Sequence, residues 1–293
     1  MMESRIQSNL GSTSNKSIEY LALNCRKHSA VLTNFGAIGD GKPSNTKAFR
    51  EAISKLTPLA ADGGVQLIVP PGSWLTGSFN LTSHFTLFIQ QGATILASQD
   101  ESEYPMIPPL PSYGDARFTG LVYGSNLTDV VITEVTLINT QSAIRIKTAI
   151  GRGGYIKDIF ARRFTMKTMK YVFWMTGSYK LHPVGGFDPK ALPEISNIHY
   201  RDMTAENVTI SAKLEGIKNG PFTGLCMSSV TIALSPDPKK LQWNCTDVSG
   251  VTSRVTPEPC SLLPDKRTTM DSDCDFPTDK IPIESVVLNK CYA

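Results

Sequence analysis

The amino-acid sequence predicts an all-β solenoid closed at its N-terminal end by one helix. Three observations lead there. A short pattern, apolar–polar–Asp/Asn/Ser–Val/Ile, recurs as Leu127-Thr128-Asp129-Val130, Ile156-Lys157-Asp158-Ile159, Ile195-Ser196-Asn197-Ile198, Met227-Ser228-Ser229-Val230 and Ile283-Glu284-Ser285-Val286. Alternating apolar residues usually follow it, as in Val230-Thr231-Ile232-Ala233-Leu234, which is the period-two signature of a strand. The repeats start 29, 39, 32 and 56 residues apart, as expected of coils whose loops differ in length. An antiparallel sandwich would also hold many short strands. Two-residue hairpin signals are scarce, however, and the lone Asn219-Gly220 runs into Pro221. The leading residues Leu127, Ile156, Ile195, Met227 and Ile283 are expected to point inward and stack between coils.

The elements follow in order. Residues 1–24 are polar and read as a disordered leader before a single domain over 25–293. Phe35-Gly36-Ala37-Ile38-Gly39-Asp40-Gly41 is a glycine-rich turn whose spacing matches no phosphate-binding fingerprint. A helix follows, with Ser44 or Thr46 as N-cap and Ala48, Phe49, Ala52, Ile53 and Leu56 on one face. Strands are predicted at Val65–Val69, Phe85–Gln90 and Ala93–Ala97, then a proline-rich surface loop over 105–114. Beyond Leu241, residues 242–293 contain four cysteines and five prolines with few strand signals. They read as a tail that wraps the far end.

Composition narrows the function. Hydrophobic residues make up 41% and charged residues 19% of the 293, enough for a sizeable core. A net charge of +3 argues against general polyanion binding, and so against nucleic acid. Residues 145–170 nevertheless hold Arg145, Lys147, Arg152, Lys157, Arg162, Arg163, Lys167 and Lys170 against Asp158 alone, a local charge of +7. That stretch is either a solvated strand face or a stripe that attracts an acidic polymer. No segment is long and apolar enough to span a membrane.

The six cysteines are Cys25, Cys226, Cys245, Cys260, Cys274 and Cys291. None forms a CxxC pair, which disfavours zinc, and six cysteines allow 15 connectivities. Cys226, Cys245, Cys260, Cys274 and Cys291 are the disulfide candidates. Sequons stand at Asn80, Asn126, Asn207 and Asn244, with another at Asn15. Together these features favour a secretory history. The polar N-terminus contains no signal-peptide core, which keeps cytoplasmic retention open. The histidines His28, His84, His182 and His199 are scattered, without metal spacing, and read as structural. Met166, Met169, Phe173, Trp174 and Met175 read as core and strand packing rather than a cofactor box. Neither a cofactor nor a metal is expected.

One pair carries chemistry. In Ala143-Ile144-Arg145-Ile146-Lys147-Thr148, an extended strand projects Arg145 and Lys147 together and turns Ile144 and Ile146 to the core. A guanidinium accepts a carboxylate with two hydrogen bonds, and an ammonium adds a point charge. The pair suits an acidic sugar. Yet no Asp-Asp pair occurs in the chain.

Several blocks resemble a known family. The turn Phe35–Gly41 with Asn45-Thr46-Lys47-Ala48-Phe49 is similar to the N-terminal region of plant polygalacturonase-like proteins, glycoside hydrolase family 28. So are Leu67-Ile68-Val69-Pro70-Pro71-Gly72, Thr76-Gly77-Ser78-Phe79-Asn80-Leu81, Gln90-Gln91-Gly92-Ala93-Thr94-Ile95, Arg145-Ile146-Lys147 and Tyr171-Val172-Phe173-Trp174-Met175. The resemblance covers nearly the whole chain from Cys25. It implies a right-handed parallel β-helix, pectic galacturonate-rich substrates and secretion to the cell wall. It also matches Arg145 and Lys147 to the family's basic substrate-binding motif.

The departure from the family is specific. Members are much longer. Between the strand ending near Thr133 and the Arg-Ile-Lys motif they carry an Asn-Thr-Asp, a Gly-Asp-Asp and a further glycine-rich segment. Here only Glu134 to Ile144 separates those landmarks, and none of the three segments occurs elsewhere. The resemblance implies inversion, in which one carboxylic acid protonates the leaving oxygen and another carboxylate activates water. The chain is therefore expected to be a β-helix shortened by loss of central coils, monomeric, without catalytic residues, and able at most to bind acidic polysaccharide weakly. Asp129 and Glu134, the acids nearest the junction, read as coil-turn or surface residues. Asp271, Asp273 and Asp275 read as a solvated loop, because no glycine turn or distal Glu completes a calcium site. The alternatives are an active galacturonan hydrolase using unrecognised acids, a protein-interaction solenoid, and a non-productive splice product.

Overall fold

The computed structural model describes residues 26–108, 116–133, 135–179, 187–266 and Cys274. The leader 1–24, Asn15, Cys25, Glu134, His182, Asp271, Asp273, Asp275, Ile283 and Cys291 lie outside the described residues.

The first part of the chain supplies β1 (His28–Val31), the helix α1 (Thr46–Leu56), β2 (Val65–Val69), β3 (Gly72–Thr76), β4 (Phe79–Asn80), β5 (Phe85–Ile89) and β6 (Ala93–Ala97). A small antiparallel pair, β7 (Met106–Ile107) and β8 (Arg117–Phe118), and β9 (Val122–Tyr123) come next. Long strands make up the remainder: β10 (Leu127–Thr133), β11 (Thr136–Lys147), β12 (Tyr155–Arg162), β13 (Thr165–Thr176), β14 (Glu194–Glu215) and β15 (Phe222–Leu234). Finally come β16 (Trp243–Thr246) and β17 (Val248–Thr256).

All their pairings are parallel, and successive coils stack in register. One wall runs β1-β2-β5-β10-β12-β14-β15-β17, with the ladder Leu67–Leu87–Ile132–Ala161–Tyr200–Met227. A second wall carries Leu137–Met166–Ala205–Ile232, and a third carries Ile144–Phe173–Ala212–Trp243. These rows fill the interior, where Met166, Met169, Phe173, Tyr200 and Met227 are fully buried. The chain is thus a parallel β-helix.

Bends between walls fall at left-handed residues. Asp129, Asp158 and Asn197 have φ of +54°, +59° and +59°, and Gly224 takes the same place in the next coil at +65°. Arg163, Asp202, Ser229 and Arg254 form a second such column, and Asn139, Thr168 and Asn207 a third. Asp and Asn tolerate this region through short polar side chains that bond locally. The third residue of the sequence repeat therefore marks a bend, but not always the same one. Leu127, Ile156 and Ile195 stack as expected. Met227 stacks on Tyr200 instead, because its Ser229 belongs to the second column.

Helix α1 buries the expected face, Ala48, Phe49, Ala52, Ile53 and Leu56, and Phe49 stacks on Phe79 at 4.5 Å. Its cap position is Asn45 rather than Ser44 or Thr46. The Asn45 amide nitrogen donates to the carbonyls of Ile38 and Leu75, tying the turn to β3. Strands β16 and β17 carry the solenoid through Thr256, into the stretch expected to be tail. Cys245 is bonded to Cys260, and Cys226 to Cys274.

Two polar features hold coils together. Arg26 is 4% and Asp129 1% exposed. The Arg26 guanidinium donates to both Asp129 oxygens at 2.9 and 3.1 Å and to Thr86 Oγ1 at 2.9 Å, while His84 Nδ1 lies 2.9 Å from Asp129 Oδ2. Across the coils, Lys157 pairs with Glu194 at 3.3 Å and Arg162 with Asp202 at 2.8 Å. The local +7 is thus partly neutralised by acids 37 and 40 residues further on, which a linear count cannot register. No helix among the described residues is long and apolar enough to cross a membrane.

Candidate functional site

Strand β11 turns Ile146 into the core, 4% exposed, and leaves Arg145 and Lys147 half-exposed on the outer face. Parallel register places Arg145 beside Trp174 and then Lys213, and Lys147 beside Thr176 and then Glu215. The Arg145 guanidinium carbon lies 3.4 Å from the Trp174 ring centroid and 5.0 Å from that of Tyr179. Lys147 Nζ is 4.9 Å from the Tyr179 ring. Arg145 Nη1 also donates to Gln141 Oε1 at 3.0 Å.

The aromatic rings are themselves held. Tyr171 packs on Trp174 at 4.6 Å. The Tyr179 amide donates to the Thr148 carbonyl at 3.0 Å, and its own carbonyl accepts from Arg152 Nη2. A ring face attracts a cation by ~0.5–2 kcal/mol. A stacked guanidinium keeps its N–H groups in the plane of the fork, where a carboxylate can meet them. The rings thus hold the two cations side by side on one outer face.

Trp174 is the outward-facing member of its group. Met166, Met169, Phe173 and Met175 are buried core residues, but Trp174 faces outward beneath Arg145. The signal was present: period two puts the residue between Phe173 and Met175 on the opposite face.

Glu215, Asp129 and Asp158 are already engaged. Glu215 Oε2 pairs with Lys213 Nζ at 3.1 Å, and its Oε1 accepts from Asn244 Nδ2 at 3.0 Å. Asp129 is the buried anchor of Arg26 and His84. Asp158 accepts from Thr128 Oγ1 and Asn197 Nδ2. No group of three or more His, Cys, Asp or Glu able to hold a metal occurs among the described residues. Of the sequon asparagines, Asn80, Asn126 and Asn207 are exposed and Asn244 is half-buried.

Comparison with known proteins gives this geometry a context. Glycosyl hydrolases family 28 matches residues 120–256, the span that carries β10 to β17. A protein named "Probable polygalacturonase" from Vitis vinifera is 37% identical over 435 aligned residues, covering 94% of this chain and 89% of that protein. The aligned stretch exceeds the 293 residues of the chain, so it contains large gaps on this side. An exo-poly-alpha-D-galacturonosidase of Dickeya chrysanthemi is 32% identical over 122 residues, 42% of this chain and 18% of that protein. A family 28 exopolygalacturonase structure from Yersinia enterocolitica superposes with a TM-score of 0.39 and 15% identity, covering 78% of this chain and 50% of that one. With a relative matched across nearly its whole length, and the coils of β10 to β17 inside the family span, the chain belongs to glycosyl hydrolase family 28.

Proposed function

We propose that this chain is a non-hydrolytic member of its family that binds galacturonate-containing polysaccharide weakly through Arg145 and Lys147. The observation that carries the reading is the outer face of β11: two cations ordered by Trp174 and Tyr179, with the acid in the same row, Glu215, tied to Lys213 and Asn244. Such a surface recognises a carboxylate but supplies no acid–base pair. An inverting mechanism needs two carboxyl groups ~6.5–9.5 Å apart across the scissile bond. Losing an acid or base role forfeits ~10²–10⁴ in rate each time. The large alignment gap and the short Glu134–Ile144 connection support loss of the coils that carry those groups. Two disulfides and exposed sequons support a secreted, cell-wall location.

Two measurements test the reading. Purified protein should release no reducing ends from polygalacturonate above a mock-purified control. Trigalacturonate should bind with an affinity that falls as salt rises, and its methyl ester should bind less. Turnover above the control, or equal binding of acid and ester, overturns it.

A further inference from the structure

The row that starts at Arg145 ends on a glycosylation signal. Parallel register runs Arg145–Trp174–Lys213–Asn244 across β11, β13, β14 and β16. Asn244 opens the sequon Asn244-Cys245-Thr246. Period two sends the preceding Trp243, 6% exposed, to the core and puts Asn244 on the outer face with Lys213. Thr246, two residues on, shares that face and is exposed. None of Asn80, Asn126 and Asn207 belongs to the row.

The Asn244 side chain is already aimed. Its Nδ2 donates to Glu215 Oε1 at 3.0 Å, and Glu215 Oε2 pairs with Lys213 Nζ at 3.1 Å. A primary amide nitrogen has two hydrogens. Glu215 engages one, and a sugar can replace the other without breaking that bond. Among the described residues β16 pairs with β14 alone, so the strand surface beside Asn244 lies on the side of Lys213 and Trp174. At one strand spacing per coil, Trp174 is about 10 Å and Arg145 about 14 Å away along the row.

We propose that Asn244 is N-glycosylated and that its glycan lies over Lys213 and Trp174, screening the face of Arg145 and Lys147 from acidic polysaccharide. The donor is a lipid-diphosphate-linked oligosaccharide. A bond forms from Nδ2 to the anomeric carbon, and the bond from that carbon to a diphosphate oxygen breaks. The lipid diphosphate leaves with the electron pair, and Nδ2 gives up one proton. The site presupposes the secreted location, and the screening deepens the carbohydrate reading.

Expression of the full chain behind a cleavable export signal in a eukaryotic host, followed by glycopeptide mass spectrometry, tests the site. Asn244 should be occupied in the wild type and in Thr246→Ser, and bare in Thr246→Ala, which leaves the Asn244 side chain in place. Acrylamide quenching reads the screening without any polysaccharide. Trp174 is the half-exposed member of three tryptophans, since Trp74 and Trp243 are 2% and 6% exposed. The glycosylated wild type should have a lower quenching constant than Thr246→Ala. Trigalacturonate should bind Thr246→Ala roughly tenfold more tightly than the glycosylated form. A wild-type chain bare at Asn244 overturns the proposal, and so does equal quenching of the two forms. Lower quenching of the glycosylated chain with no trigalacturonate binding by either form upholds the glycan site and overturns the carbohydrate reading alone.

Discussion

Replacing Asp129 with Asn should destabilise the chain severely while changing almost no shape. Asp129 and Arg26 are 1% and 4% exposed, and the guanidinium engages both carboxylate oxygens at 2.9 and 3.1 Å. Asn is tolerated at this bend, because Asn197 occupies the same place two coils away at φ +59°. The substitution therefore removes the charge and leaves the backbone unstrained. A buried ion pair that loses one partner costs ~3–5 kcal/mol, since the remaining charge stays desolvated. For a domain of this size that corresponds to a fall in Tm of about 10 °C. The assay is thermal and urea unfolding followed by circular dichroism at neutral pH. The control is Arg26→Met combined with Asp129→Asn, which removes both charges and should restore much of the loss. His84→Ala should cost far less, as that side chain is 42% exposed. A Tm within a degree or two of wild type for Asp129→Asn, or additive losses in the double variant, would refute the role of this pair as a buried anchor.

Further outcomes follow from other parts of the fold. Arg145→Ala with Lys147→Ala should abolish trigalacturonate binding and lower the Tm by no more than a few degrees, since both side chains are half-exposed. Trp174→Leu should weaken the same binding by a factor of a few, and binding to the wild type should perturb indole emission, because the ring stacks beneath Arg145. Removing Cys226–Cys274 should cost ~4 kcal/mol and Cys245–Cys260 ~3 kcal/mol, ordered by their separations of 48 and 15 residues; a reversed order in paired Cys→Ala variants would count against chain entropy as the cause. Glu103 is pushed up by burial but pulled further down by hydrogen bonds with Ser44, Ser98 and Thr46, ending below the usual glutamate value of 4.5. Its contribution should be complete above pH 4.5 and vanish as pH falls through the depressed value, so Glu103→Gln should flatten the acid limb of a Tm–pH profile.

The local order of the chain was legible in its residues. Strands at Val65–Val69 and Ala93–Ala97, the buried face of α1 and the stack Leu127–Ile156–Ile195 all follow from side-chain period and turn chemistry. The outward projection of Arg145 and Lys147 follows from the same period. Tertiary structure alone decided which turn signal serves which bend: Ser229 looks like Asn197 in sequence, yet the counterpart of Asn197 is Gly224. It also decided that Asp129 is an anchor, because Arg26 lies 103 residues away, and that two cations of the +7 stretch, Lys157 and Arg162, are answered from the next coil. The underlying reason is the coil itself. A sequence pattern reports neighbours one or two residues apart, whereas a β-helix brings together residues a whole coil apart, as Arg145 and Trp174 or Arg162 and Asp202 are. The charge pairing and the ring beneath Arg145 both arise across coils, and only stacking could reveal them.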